Sequence, residues 1–494
     1  MDRAADLPAH AEVLVVGAGP TGLLLTTMLR RLGVDAHVVD RNSAPLTWDR
    51  ATVITARTLE ILDQFDVAAP IVSRAVPIRE LIVSVDGALL SENDIGNPGA
   101  PYPFNVGLSE EHLEHALRTD LGQRGGVVHG GTTLRHVRQG VDDVEVTLDR
   151  RGASSTVHAR WLVGCDGFHG ATRNAAGIAR RRLHPDRNWA VFDAAVEPWT
   201  SSVEATYGYL DGPGAVLTPL PDRRWRVYTR PAAGADVIAD ALSVLRRYHP
   251  SVRFADVADL SEFTCHSMIA AQYRSGRVLL AGDAAHVCSP AQGQGMNIGV
   301  HDAHNLGWKL AMVLRGGADD RLLDSYSAER RPIGEAVIHA GDAVDRAADG
   351  KGRAADPERL AELGRVLAVD DDEPTWIVDY PTSPIVIDRG GVGVPPGAVA
   401  PPSWSSSELR HRLVMTASSP VARRHHRRLD AATRELGWSP LHAAIDGRAT
   451  TPTLHVIRPD GHVGLRAELD DERALEDYLT ELMGSAGRAL LRRL

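Results

Sequence analysis

Residues 12–40 read EVLVVGAGPTGLLLTTMLRRLGVDAHVVD, and this stretch decides the fold. Residues 12–16 are a short apolar, β-branched run of the kind that forms a buried parallel strand. The run leads into Gly17-Ala-Gly-Pro-Thr-Gly22. Residues 23–32 then have the composition of a buried helix, which Gly33 stops. Residues 34–39 form a second strand that ends in Asp40. A strand, a glycine turn, a helix and a strand in about thirty residues make the βαβ unit of a dinucleotide fold. Gly17 permits the tight turn, Gly19 lets the backbone approach a diphosphate, and Gly22 lets the helix pack close to the strand. The helix N-terminus adds N–H donors and the positive end of a dipole. Asp40 lies 18 residues past Gly22, where an acid meets ribose hydroxyls. This motif alone leaves the dinucleotide open: NAD and FAD fit it equally.

Composition narrows the class. A chain of 494 residues is too long for one core, since single cores stop growing at roughly 250–300 residues. Its net charge of −10 argues against a general nucleic-acid binder, which needs a positive face. The basic run at 423–428 (RRHHRR) reads as the solvated side of a helix. Cys165, Cys265 and Cys288 are widely spaced, with no CxxC pair, so no metal site or disulfide framework is expected. The early apolar run at 13–25 is broken by Gly17, Gly19, Pro20 and Gly22, so neither a signal peptide nor a membrane span is expected. These features predict a soluble, cytoplasmic protein.

Further strands are predicted at 141–148 and 155–163, and a helix at 302–314. Across 185–275, Trp189, Tyr207, Tyr209, Trp225 and Tyr228 sit in alternating polar and apolar sequence, which predicts an antiparallel sheet. Residues 277–280 (RVLL) return to a buried strand. The Pro-, Gly- and Ser-rich stretch 390–407 suits a connector, and 453–457 with 462–466 suit a hairpin about Pro459-Asp460-Gly461. The expected organisation is α/β. A Rossmann-like domain spans 1–184 and 276–389, interrupted by an inserted antiparallel-sheet substrate domain at 185–275, and a C-terminal α/β domain covers 390–494.

Two later segments point to the ligand. The first is 164–173 (GCDGFHGATR), just after a strand; the second is 282–286 (GDAAH), continued by 290–297 (PAQGQGMN). An acid at a strand end, such as Asp283, can accept hydrogen bonds from a ribityl chain. A glycine-rich turn opening a helix can aim N–H groups at the electron-poor edge of a flavin and stabilise the charge that reduction places there.

With residues 50–62 (RATVITARTLEIL) and 277–331 added, these segments resemble the class A flavoprotein monooxygenases, the para-hydroxybenzoate hydroxylase and phenol hydroxylase group. The sequence is most similar to aromatic polyketide hydroxylases that carry a C-terminal thioredoxin-like domain, as segments 379–384, 396–401 and 458–461 indicate. The resemblance implies that Gly17, Gly19, Pro20 and Gly22 hold the FAD diphosphate, with Asp40 and Arg41 at the adenosine ribose. Arg50 would contact the phosphate or ribityl region, and Leu134 would reach the adenine end through its backbone. Asp166, Gly167 and Arg173 would serve both FAD and NAD(P)H. Asp283 would bind the ribityl chain, while Gly295, Met296 and Asn297 cradle the isoalloxazine and Pro290 sits beside its reactive face. Three positions depart from the family: Asp40 replaces Glu, Glu110 replaces a Gln that contacts FAD, and Gln292 replaces Gly.

The reaction so implied uses NADPH or NADH and O2, through a flavin hydroperoxide, to hydroxylate an aromatic small molecule. Baeyer–Villiger oxidation, epoxidation and a non-catalytic flavin sensor remain as alternatives. A halogenase is disfavoured, since no W-x-W-x-I-P segment occurs. Only one βαβ glycine motif is present, so the nicotinamide cofactor would dock transiently. Tyr207, Tyr209, Tyr228 and Arg226 are candidates to polarise a phenol, with no catalytic base assigned. The C-terminal domain, which has no cysteine, would be redox-silent and pack within a monomer or at a homodimer contact.

Overall fold

The computed structural model describes residues 7–47, 50–95, 99–348, 379–404, 409–416, 439–441, 453–469, 471 and 473–484. The chain divides into two compact units. The first comprises Met1–Thr27, His37–Ala303 and Gly334–Thr375; the second comprises Met28–Ala36, His304–Ile333 and Trp376–Leu494.

The first unit holds strand β1 (His10–Val16), helix α1 (Pro20–Arg31) up to Thr27, and strand β2 (Ala36–Val39) from His37 on. Val13, Leu14 and Val15 are fully buried, as a parallel strand covered on both faces requires. The helix starts at Pro20, three residues before the expected point, because proline's fixed φ suits the first helical position and its missing N–H costs nothing there. β1 pairs in parallel with Ala153–Gly164, placing Val15 opposite Val163, and that strand pairs in parallel with Val278–Leu280. Thus 12–16, 155–163 and 277–280, far apart in sequence, become neighbouring strands with their C-terminal ends on one edge. Ligands bind at such an edge in open α/β sheets.

A second sheet has eight strands in the order His286–Val287, Arg253–Ala270, Arg180–Glu197, Arg224–Thr229, Ala215–Leu220, Ala205–Tyr209, Glu80–Val85 and Ala88–Asp94. The sequence reading placed this sheet within 185–275. It also recruits 80–94 and 286–287, because Ala205–Tyr209 pairs in parallel with Glu80–Val85 and Arg253–Ala270 pairs with His286–Val287. The 295–314 helix begins at Gly295, seven residues before its expected start. Glycine disfavours helix, but a Cβ on Gly299 would lie 2.4 Å from Thr21 Oγ1, so packing overrides propensity here.

The second unit holds a five-stranded mixed sheet: Ile387–Arg389, Val463–Glu468, Thr453–Ile457, Arg412–Thr416 and Ser439–Leu441. Thr453–Ile457 and Val463–Glu468 pair antiparallel across the turn at 458–461. The stretch expected as a connector packs into this unit instead: Ala400 joins Val414, Ile457 and Val463 in its core. The basic run at 423–428 lies outside the described residues.

Candidate functional site

The glycine loop is shaped by close contact. A Cβ on Gly17, whose φ is +104°, would lie 2.2 Å from the Cys165 carbonyl oxygen; one on Gly22 would lie 2.0 Å from the Gly17 carbonyl oxygen. Neither position admits a side chain, so the β1–α1 turn and the 164–167 loop interlock. Gly19 differs, since a Cβ there would meet only Glu114 Oε1, at 3.9 Å. Packing therefore does not demand glycine at 19, but a ligand approaching the backbone would. The first α1 bond runs from Leu23 N to Gly19 O, which leaves the Thr21 and Gly22 N–H groups outside the helical ladder.

Asp40 braces this loop, its two carboxylate oxygens accepting from Ala18 N and Asn42 N at 2.7 Å each. Each oxygen keeps a further lone pair for a ribose hydroxyl. Arg41 beside it is exposed. Arg118, which the sequence reading missed, donates to the Ala18 carbonyl at 3.1 Å and places a guanidinium at the loop. No motif marks Arg118, because it arrives from the separate Glu110–Gln123 helix. Leu134 is a core side chain packed with Val146 and Leu148, so only its backbone could meet a ligand.

Asp166 Oδ2 accepts from both the N–H and the hydroxyl of Thr172 at 2.9 Å. Its Oδ1 is buried and has no partner of ordinary geometry among the described residues. Burial outweighs the Thr172 bonds and raises the carboxyl above its usual range. Gly170 is required here, since a Cβ would fall 2.2 Å from the Asp166 carboxyl carbon. Arg173 is buried and donates to the Ile178 carbonyl at 3.1 Å.

Asp283 is open to solvent, yet burial by surrounding protein raises its carboxyl pKa against the pull of His286 and Arg50. The loop carrying it is held by Asp302, which accepts from Gly282 N at 3.0 Å and pairs with His286 Nε2 at 2.6 Å. Arg50 is exposed, with its guanidinium 4.4 Å from the Phe263 ring centroid.

Pro290 opens a short 3-10 turn ending at Gly293 (φ +64°). Its carbonyl accepts from Gly293 N at 2.9 Å and keeps one lone pair. In the following helix the first bond is Ile298 N to Gln294 O at 3.0 Å, so the N–H groups of Gly295, Met296 and Asn297 precede the ladder. The Asn297 side chain is committed elsewhere. Its Oδ1 accepts from Thr55 N at 3.0 Å, and its Nδ2 donates to Val53 O and Gly293 O at 2.9 Å each. Asn297 can therefore meet a ligand only through its backbone.

The sheet face toward this turn carries Trp189, Val191, Tyr228 and Cys265, with Val216, Phe263 and Ala291 packed on them. The other polar candidates do not join them. Tyr207 and Tyr209 belong to the opposite face, in the core with Trp225 under the Val237–Tyr248 helix. Alternate residues of a strand point to opposite faces, and the sequence carried no sign of which face is which. Arg226 is fully buried, bidentate to Asp193 at 2.8 and 2.9 Å, and donates to Ala51 O at 3.1 Å. Tyr228 hydrogen-bonds Thr52 Oγ1 at 2.8 Å and the Arg50 carbonyl. Arg226 and Tyr228 thus fix the 50–52 segment rather than presenting an acid or base.

The donor and acceptor set suits a flavin dinucleotide: backbone N–H groups at 21–22 and 295–297 for anionic parts, and Asp40, Asp166 and Asp283 for hydroxyls. Replacing Asp283 by Ala removes a charged acceptor, a bond of about 1.5–3 kcal/mol. FAD affinity is expected to fall ~10–100-fold. Titration of apoprotein with FAD checks this, and an unchanged Kd removes the role. Among the described residues no group of three His, Cys, Asp or Glu side chains is placed to hold a metal, and no helix is long and apolar enough to cross a membrane.

The profile of a family described as "FAD binding domain" matches residues 10–341. The chain is 37% identical over 341 residues to 6-methylpretetramide 4-monooxygenase of Streptomyces rimosus, covering 66% of this chain and 60% of that protein. It is 28% identical over 508 residues to a flavin-dependent monooxygenase of Mycobacteroides abscessus, covering 95% and 100%. Among solved structures, OxyS anhydrotetracycline hydroxylase from Streptomyces rimosus matches with a TM-score of 0.75 at 28% identity, over 96% of this chain and 99% of that one. The alignments span 60% of the length of two of the curated relatives.

Proposed function

We propose, from the premise that this chain belongs to the FAD binding domain family, that it is an FAD-dependent monooxygenase that hydroxylates a phenolic, polyketide-type small molecule with NAD(P)H and O2. The observation that carries this reading is the convergence of three far-separated segments, 17–22, 164–173 and 282–297, at the C-terminal edge of one parallel sheet, where Gly17 packs against Cys165 and Gly282 against Thr21. Relatives named for 6-methylpretetramide and anhydrotetracycline support a fused-ring phenolic substrate.

When bound, FAD supplies hydride acceptance and oxygen activation. The chain's residues do the rest. The Gly17–Gly22 loop and Arg118 would hold the diphosphate, Asp40 and Arg41 the adenosine ribose, and Asp166 and Asp283 the polyol hydroxyls. The N–H groups of 295–297 would face the flavin ring and stabilise negative charge on it. The apolar wall of Trp189, Val191, Phe263 and Ala291 would exclude water from the oxygenation side, with Pro290 at its edge. Asp166 with Gly167 and Arg173 would also meet the transient NAD(P)H. We assign 1–184 and 276–389 to cofactor binding, 185–275 to substrate, and 390–494 to a redox-silent C-terminal domain of a monomer or homodimer. The three unpaired thiols accord with a reducing, cytoplasmic setting.

The test is the visible spectrum of the purified protein, followed by NAD(P)H oxidation with and without anhydrotetracycline and simpler phenols. Flavin bands are expected, with oxidation accelerated at least tenfold by a phenol that gains one oxygen. A protein that stays colourless with excess FAD, or oxidation indifferent to every phenol, overturns the reading.

A further inference from the structure

Segment 50–55 is hydrogen-bonded both to the sheet that carries the apolar wall and to elements at the two ends of the proposed FAD site. Ala51 is the junction. Its carbonyl accepts from Glu110 N at 3.3 Å and from Arg226 Nη1 at 3.1 Å, so both of its lone pairs are engaged. One residue on, Thr52 O accepts from Leu108 N at 3.0 Å, and Val53 and Ile54 pair antiparallel with Gly107 and Val106. Tyr228 adds a second grip from the sheet: its hydroxyl donates to the Arg50 carbonyl and meets Thr52 Oγ1 at 2.8 Å.

Two arms leave this junction. The first is the Glu110–Gln123 helix, whose start is held by the Ala51 carbonyl and which brings Arg118 to the Ala18 carbonyl at 3.1 Å. Ser109, at the N-cap of that helix, makes no side-chain capping bond; its Oγ lies 3.5 Å from Arg226 Nη2 instead. The second arm is Asn297, whose Oδ1 accepts from Thr55 N at 3.0 Å and whose Nδ2 donates to Val53 O at 2.9 Å. The guanidinium at the glycine loop and the turn that would face the flavin ring thus take their positions from one short segment.

Arg226 fastens that segment to the sheet. It is fully buried, and Asp193 fixes its Nε and Nη2 at 2.8 and 2.9 Å, which aims Nη1 at Ala51. Desolvation offsets much of the attraction in a buried ion pair, so an apolar pair of similar volume would serve the fold as well. An apolar pair would leave the Ala51 carbonyl without its charge-assisted bond. We propose that Arg226 is a positioning residue for FAD: through Ala51 it sets the Arg118 helix and the Asn297 turn, the elements that would hold the two ends of the cofactor. Arg226 acts from behind the site, through the backbone of segment 50–55. The inference rests on the FAD reading above and adds to it the residue that fixes the spacing of its two binding elements.

Two readouts on the full chain test it: the melting temperature of the apoprotein and its Kd for FAD by titration. Arg226→Gln strands the Asp193 carboxylate and is expected to lower both stability and affinity. Adding Asp193→Asn removes the stranded charge, so the melting temperature recovers. The shorter amide side chain still fails to restore the bond to Ala51, and FAD is expected to bind ~10-fold or more weakly than to wild type. Asp193→Asn alone keeps the Arg226–Ala51 bond, so its melting temperature falls while its FAD Kd stays within about threefold of wild type. Tyr228→Phe, which deletes one oxygen and keeps the packing, is expected to weaken FAD about threefold. Since Arg118 acts downstream, Arg118→Gln is expected to cost less affinity in the double variant than in wild type. Wild-type affinity in the double variant, affinity that follows melting temperature through the whole set, or losses for Arg118 and Arg226 that simply multiply each overturn the proposal. A wild type that binds no FAD overturns the FAD reading together with it; a wild type that binds FAD beside an equally tight double variant overturns this inference alone.

Discussion

Replacing Arg458 by Met is expected to destabilise the second unit by about 3–5 kcal/mol, the usual cost of stranding a buried charge. Arg458 is fully buried and donates to both Glu329 oxygens, at 2.7 and 2.9 Å, as well as to Asp460. Glu329 also receives Lys309 Nζ at 2.6 Å and Asn305 Nδ2 at 2.7 Å, while Asp460 accepts from Trp308 Nε1 at 3.1 Å. Two cations and two anions balance in the native cluster. Without Arg458, one lysine faces two buried carboxylates. The melting transition should drop by on the order of 10 °C. A loss of under 2 °C would show that water or rearrangement compensates. Burial opposes ionisation of Glu329, but Arg458 and Lys309 outweigh it and bring the carboxyl from 4.5 to about 2. That contribution is complete above pH 4.5 and is lost as pH falls toward 2. Burial likewise lowers Lys309 to about 8 despite Glu329 beside it. The wild type should therefore lose stability on acidification more steeply than the Arg458→Met variant, in which the Glu329 shift is largely removed.

Gly22→Ala is expected to weaken FAD binding ~10–100-fold, a change of a single methyl group. The added carbon would sit 2.0 Å from the Gly17 carbonyl oxygen and 3.2 Å from Cys165 Cβ. The nearest atom is backbone in a turn already at φ +104°, so the helix must move away from the strand. Overpacking of this kind costs about 1–3 kcal/mol. The displacement carries the Thr21 and Gly22 N–H groups off the diphosphate position. FAD titration of the variant, beside Gly19→Ala as a control with open space around its Cβ, separates the effects. Gly19→Ala should retain the fold and lose affinity only if the ligand approaches there. Equal, wild-type affinity in both would remove the loop from the FAD site.

Much of this was legible in residues 12–40, because a βαβ unit is local. Its strand, turn and helix are set by neighbours within a few residues, and the glycines are dictated by contacts inside the turn or just beside it. The same holds for Asp283, whose glycine-flanked setting read as an acceptor at a strand end. The polar residues of the second sheet were less legible. Tyr207, Tyr209, Tyr228 and Arg226 looked equivalent along the chain, but strand alternation and sheet pairing send Tyr207 and Tyr209 to the far face. Arg226 and Tyr228 turn to the 50–52 backbone, more than 170 positions away. Arg118 carried no motif at all.

By itself, the sequence determined the dinucleotide unit, the family resemblance and the chemical character of the groups offered to a cofactor. Those properties reside in short segments whose backbone conformation their own residues enforce. Only the tertiary structure decided which of these groups remain available. Asn297 is spent on Thr55, Val53 and Gly293, while Asp283 stays open to solvent. The reason is physical: burial and hydrogen-bond partners are set by chain segments hundreds of residues apart, and desolvation has no signature in a linear pattern.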